Sequence, residues 1–204
     1  MRLNKKSEAG SQRSGDIQFK IPSDFRPQTS DLRLLYMKIF LIGFMGVGKT
    51  HWGRLLSQKL SLPFFDLDEQ VTTHAGKSIA EIFAADGEEH FRQMEKEVLH
   101  IITESHDSFI MACGGGSPCY FNNIDYMNQA GTTVWINTPL DTLFDRLVKE
   151  KDKRPLIKEL SDDQLRNFIT KKFADRKIYY EQAGLTVEEE PVELDNLIEK
   201  IFHA

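Results

Sequence analysis

The chain lacks what several protein classes require. Only two of its 204 residues are cysteine, Cys113 and Cys119, and they flank one glycine-rich turn. A small secreted scaffold needs a denser disulfide framework, so reduced thiols in a cytoplasmic protein are the expected state. No apolar run approaches the roughly 20 residues of a membrane-spanning helix, and no membrane partner is expected. Positive charge is not in surplus: 26 Lys and Arg against 31 Asp and Glu leave a net charge of −5. General nucleic-acid binding, which wants a basic surface, is therefore not expected, and any anionic ligand must be gripped by local Arg and Lys. The six histidines show no metal-ligand spacing. Repeats and low-complexity tracts are missing too. With 40% hydrophobic and 28% charged residues, what remains is the profile of one ordinary domain with an adequate core.

Residues 1–36 differ from the rest. They are polar, carry Lys5 and Lys6, and show no periodicity. They contain no apolar h-region, so they do not read as a signal peptide, and Glu8, Asp16, Asp24 and Asp31 argue against an acid-poor transit peptide. The expectation is a disordered extension, or a start placed upstream of a true start at Met37. The folded domain is expected over 37–204.

From Met37 onward short apolar runs alternate with helical patterns. Strands are expected at 37–42, 63–66, 108–113, 132–136 and, more weakly, 184–187. Helices are expected at 49–60, 78–85, 88–104, 121–130, 139–150, 161–181 and 191–202. Ser78-Ile79-Ala80-Glu81 is a capping box that starts one of them. Strands alternating with helices imply an α/β fold, a parallel sheet covered on both faces. Ligands of such sheets lie beyond the carboxyl ends of the strands.

The most specific motif is Gly43-Phe44-Met45-Gly46-Val47-Gly48-Lys49-Thr50, a match to G-x-x-x-x-G-K-[ST] placed directly after the apolar run 37–42. Strand, glycine turn and helix start are the context this motif requires. Its glycines let the backbone wrap a phosphate, and the helix adds its positive end. Gly46, Val47, Gly48 and His51 are candidates through backbone N–H groups. Lys49 can reach the β- and γ-phosphates, and the Thr50 hydroxyl can ligate Mg²⁺. Binding of a nucleotide with Mg²⁺ is expected, an ordinary glycine-rich strand–helix turn being the other reading.

Four further features are open to two readings each. Asp66 and Asp68 end the second strand and could face the crevice, Asp66 toward a metal's outer shell and Asp68 toward an acceptor hydroxyl. Either could instead be a helix N-cap. Gly114-Gly115-Gly116 exceeds what a turn needs and suggests backbone passing close to a ligand, the other reading being a plain loop. Arg92 and Glu95, three apart on a helix, could be a carboxylate clamp with its brace or a surface ion pair. Arg154-Pro155-Leu156, after the charged stretch 149–153, could be a lid over phosphates or a solvated loop. Arg176, on a late helix, taken alone reads as a surface residue.

Taken together, these motifs resemble the shikimate kinase family across about residues 37–200. The resemblance rests on six features in register: Gly43–Thr50, Asp66 with Asp68, Phe91-Arg92 with Glu95, Gly114–Gly116, Arg154-Pro155-Leu156, and Arg176 with Tyr179. It implies a three-layer P-loop kinase fold, with a five-stranded parallel sheet in the order 2-3-1-4-5 plus lid and substrate-binding helices. It implies ATP-dependent phosphorylation of the 3-hydroxyl of shikimate, with Lys49, Asp68 and Arg154 catalytic. Asp68, Arg92, Arg176 and the glycines Gly114, Gly115 and Gly116 would hold shikimate, Glu95 would orient Arg92, and Phe83 and Phe91 would lie against the carbocycle. Thr50 with Asp66 would manage Mg²⁺. Arg146 and the loop at Pro191 would border adenine, although Glu188-Glu189-Glu190 stands where many relatives carry a basic residue. A monomer is expected. Another small-metabolite kinase on this fold, such as a gluconate kinase, is the alternative. A GTPase-like switch is disfavoured, because the chain has neither an Asp-x-x-Gly nor an Asn-Lys-x-Asp.

Overall fold

A computed structural model describes residues 34–154, 156–188 and 193–203. Residues 1–33 of the expected extension lie outside the described residues, as do Pro155 of the lid motif and Pro191.

Five strands, β1 (Lys38–Ile42), β2 (Phe64–Asp66), β3 (Phe109–Ala112), β4 (Thr132–Ile136) and β5 (Leu185–Val187), form one parallel sheet in the order β2-β3-β1-β4-β5. Among the described residues, seven α-helices connect and cover them: α1 (Lys49–Leu60), α2 (Leu67–Ala75), α3 (Ile79–Ser105), α4 (Asn123–Ala130), α5 (Leu140–Lys149), α6 (Asp162–Tyr180) and α7 (Leu194–His203). The expected P-loop kinase architecture is thus present.

The central strands are apolar throughout because both faces are covered. Strand alternation divides their side chains. Ile39 and Leu41 of β1 join Leu56 of α1 and Leu197 and Ile201 of α7 on one face. Phe40 and Ile42 face the other way, onto Leu99 and Ile102 of α3, Leu143 and Leu147 of α5, and Tyr180 of α6. Leu41 is fully buried, and truncating such a residue to Ala costs about 2–5 kcal/mol.

One element differs from expectation. The expected helices 78–85 and 88–104 are both present within the α3 span, and the break between them falls at Gly87, whose backbone is non-helical (φ 84°, ψ 175°). The start of α3 is the anticipated capping box: the Ser78 N–H donates to Glu81 Oε2 at 2.7 Å, and the Glu81 N–H donates to Ser78 Oγ at 3.3 Å. α2 was not anticipated at all. Asp66 is its N-cap, extended at φ −98°, and accepts from the Asp68 N–H at 3.2 Å. Asp68 therefore stands on the first turn of a helix, not at a strand end.

Candidate active site

The loop between β1 and α1 has three glycines at positive φ: Gly43 (136°), Gly46 (85°) and Gly48 (89°). A side chain at Gly43 would also strike the Ile136 carbonyl, 2.7 Å from the Cβ position. The loop's shape is thus available to glycine alone. No side chain caps α1, which leaves its first-turn N–H groups for a ligand or solvent. Lys49 Nζ donates to the loop's own carbonyls, Gly43 O at 2.7 Å and Phe44 O at 2.9 Å. Burial pushes Lys49 down to about 8, against the upward pull of Asp68.

Thr50 Oγ1 donates to Asp66 Oδ2 at 2.7 Å. Among the described residues no group of three His, Cys, Asp or Glu could hold a metal. A hydroxyl backed by one carboxylate is nevertheless the donor set that suits Mg²⁺, which keeps waters and takes its other ligands from phosphates. One carboxylate thus serves both as helix N-cap and as partner of Thr50, so the two readings of Asp66 are compatible.

The triple glycine after β3 is where the rest converges. A Cβ on Gly114 would lie 2.7 Å from Glu95 Oε1 and 2.9 Å from Asp68 Oδ1. On Gly115 it would lie 3.3 Å from Arg176 Nη1 and 3.4 Å from the Met45 N of the phosphate loop. On Gly116 it would lie 2.7 Å from Arg92 Nη2. Three consecutive residues therefore carry Asp68, Glu95, Arg176 and Arg92 on one ridge beside the phosphate loop. None of the three has positive φ. Close approach of side chains, not backbone freedom, is what requires glycine here.

Arg92 is not a surface residue. It and Glu95 are 8% and 0% exposed, and Nη1 donates to Glu95 Oε2 at 2.8 Å. Its guanidinium lies 4.9 Å from the Phe91 ring centroid and 4.7 Å from that of Tyr120, and the Phe91 and Phe83 rings are 4.8 Å apart. Asp68 is pushed up to about 6, by burial first and then by Glu95 and Asp66. A carboxylate with that value can take a proton from an acceptor hydroxyl near neutral pH.

The family model for shikimate kinase matches residues 45–204. The chain belongs to the shikimate kinase family. The shikimate kinase of Azobacteroides pseudotrichonymphae is 37% identical over 165 residues, which is 81% of this chain and 97% of that protein. Among solved structures, the shikimate kinase of Bacteroides thetaiotaomicron is 35% identical at a TM-score of 0.76, covering 80% of this chain and 97% of its own. That of Acinetobacter baumannii, solved in complex with shikimate, is 30% identical at a TM-score of 0.74, covering 85% and 95%.

Of the remaining residues singled out, Arg154 and Arg146 also lie beside the phosphate loop. Arg154 is held to Glu150 Oε2 at 2.8 and 3.2 Å, close enough to Lys49 to add to the lowering of its pKa. The lid segment is pinned by Ile157, which is fully buried. Arg146 Nη1 donates to the Gly46 carbonyl at 3.3 Å. The His51 ring is exposed, 5.3 Å from Trp52. Cys113 and Cys119 are both free, and burial pushes Cys119 up to about 11.

Four residues escaped the sequence reading. Ser117, fully buried, donates to Glu95 Oε1. Tyr180 OH donates to the Gly115 carbonyl at 2.5 Å and also interacts with Arg176. Tyr180, four residues after Arg176 on α6, makes these contacts, whereas the motif was quoted with Tyr179. That i, i+4 spacing was the available signal. Glu88 and Tyr120 also contact Arg92; the i, i+4 spacing of Glu88 and Arg92 was a signal for the first, and nothing in its local sequence marks Tyr120.

Proposed function

We propose that this chain transfers the γ-phosphoryl group of ATP to the 3-hydroxyl of shikimate, giving shikimate 3-phosphate and ADP. The observation that supports this most is the glycine ridge: two guanidinium groups and one raised carboxylate packed on Gly114–Gly116, beside a phosphate loop. An acid bearing a hydroxyl is what such a set recognises.

In this reading Lys49 and the loop amides hold the triphosphate, and Arg154 closes over it from the lid. Thr50, backed by Asp66, would hold Mg²⁺, which neutralises charge on the phosphate oxygens when bound. Arg92 and Arg176 take the substrate carboxylate, Glu95 keeps Arg92 in place, and Phe83 and Phe91 cover the ring. Asp68 aligns the 3-hydroxyl and accepts its proton as the phosphorus–oxygen bond forms. Phosphoryl transfer asks little of a base, since its transition state is loose. Arg146 borders adenine, and lid closure excludes water. Residues 37–204 would be the kinase domain, acting as a cytoplasmic monomer, with 1–36 an extension outside it.

The test is a coupled ADP-release assay with shikimate, gluconate and nucleoside monophosphates as acceptors. Shikimate-dependent release is expected, and Arg92→Lys should raise the shikimate KM because an ammonium cannot form the fork. Release with gluconate but not shikimate would replace the assignment by the gluconate kinase alternative.

A further inference from the structure

Arg92 presents a planar fork of five N–H groups, and two carboxylates divide it. Glu95 takes Nη1 at 2.8 Å, is fully buried, and is braced by Ser117. Glu88 takes the opposite edge with a single oxygen: Oε1 accepts from Nε at 3.3 Å and from Nη2 at 3.2 Å. The Nε/Nη2 edge is one that a ligand carboxylate would use for parallel hydrogen bonds. The two carboxylates are held very differently. The Glu88 side chain is 53% exposed, its bonds to Arg92 are long, and beyond Arg92 it meets the Tyr120 hydroxyl at 3.2 Å and feels the charge of Lys172. It is also the first residue after the Gly87 kink.

We propose that Glu88 is a resident stand-in for the substrate's carboxylate. It occupies the open edge of the Arg92 fork in the resting protein and gives it up to the incoming acid by swinging into solvent. This rests on the reading of Arg92 as the grip on shikimate's carboxylate. The physical reason for a stand-in is that a nearly buried guanidinium with an unpaired edge is costly. Glu88 keeps Arg92 seated between the Phe91 and Tyr120 rings until substrate arrives. Competition is the consequence: every acid that binds must displace Glu88, and a neutral analogue cannot do so. Glu88 is thus a positioning residue that also sharpens selection for acids.

Calorimetric titration of shikimate and of its methyl ester distinguishes this role from simple bracing. Glu88→Gln keeps the side chain's shape and its hydrogen bond with Tyr120 but removes the competing charge. The variant should bind shikimate roughly two- to fivefold more tightly, the scale expected for loss of a half-exposed ion pair. Its affinity for the methyl ester should not improve, and kcat should not rise. Tyr120→Phe, which keeps the ring over Arg92 while loosening Glu88, should shift shikimate affinity the same way by less. Glu89→Gln, an exposed neighbour with the same charge change, should have no effect. Unchanged or weaker shikimate binding in Glu88→Gln, or equal tightening in Glu89→Gln, overturns the stand-in while leaving the activity in place, provided the wild type releases ADP with shikimate. A wild type that neither binds nor phosphorylates shikimate removes both.

Discussion

Replacing Gly116 with alanine forces Arg92 to move. The added Cβ would sit 2.7 Å from Nη2, 2.8 Å from Cζ and 2.9 Å from Nη1, whereas ordinary contact begins near 3.4 Å. The guanidinium must retreat by about 0.7 Å, yet Phe91 and Tyr120 stack on it and Glu95 holds Nη1 at 2.8 Å. Misplacement of a positioning group by about 1 Å can cost on the order of 10²-fold, so the shikimate KM should rise roughly 10- to 100-fold. The backbone itself is not strained by alanine, since φ at Gly116 is −98°. At such positions Gly→Ala restricts the unfolded chain and stabilises by about 0.4–1 kcal/mol, which offsets part of the local crowding. Gly114→Ala should act differently, because its Cβ meets Glu95 Oε1 and Asp68 Oδ1. Displacing Asp68, the proposed proton acceptor, should lower kcat as well as affinity. Gly115→Ala, whose nearest contacts are 3.3 and 3.4 Å, should be mildest. Steady-state ADP release on the three variants, with thermal melts alongside, reads the pattern. Equal losses at all three positions, or a wild-type shikimate KM in Gly116→Ala, would refute the idea that these glycines exist to seat the substrate's arginine and base.

Four other outcomes follow from the same geometry. Asp68 must be ionised to take a proton and Lys49 charged to hold phosphate, so kcat/KM should rise through about pH 6 and fall through about pH 8. Bound phosphates favour the ammonium, so the alkaline limb of kcat should lie higher; an alkaline limb in kcat/KM at the ordinary lysine value would contradict the burial of Lys49. Because its folded value is raised, Asp68 holds its proton longer in the folded chain than in the unfolded one, and this group's contribution to stability falls as pH rises through about 6. Asp68→Asn should therefore stabilise the ligand-free protein at pH 7 by about 1–3 kcal/mol while losing turnover, and a lowered Tm would show the sign to be wrong. In Gly53→Ala the new Cβ would lie 2.3 Å from the Phe64 ring, an overpacking worth about 1–3 kcal/mol; a fall in Tm with unchanged shikimate KM is expected. Tyr180→Phe leaves the Gly115 carbonyl without its 2.5 Å donor, a loss of about 1–3 kcal/mol that should also raise the shikimate KM through Arg176.

The glycine loop, the apolar run before it and the capping box at Ser78 were legible in the chain because each is a local device, complete within a few consecutive residues. So were the five strands, since apolar runs separated by amphipathic segments leave few ways to bury both faces of a sheet. α2 was not: Asp66 could be read as a helix N-cap, but the β-branched Val71, Thr72 and Thr73 blur the helical pattern that should follow it. The character of the Arg92–Glu95 pair could not be decided from spacing, which is the same for an exposed ion pair and a buried clamp. Only packing removes water from it, and that depends on Tyr120 and Ser117 arriving from beyond β3. Tyr180 likewise reaches the Gly115 carbonyl across 65 residues of chain. The six motifs named the candidate groups. Tertiary structure alone decided that Asp68, Arg92, Glu95 and Arg176 meet on one glycine ridge, because contacts between distant residues leave no periodicity in the sequence from which to read them.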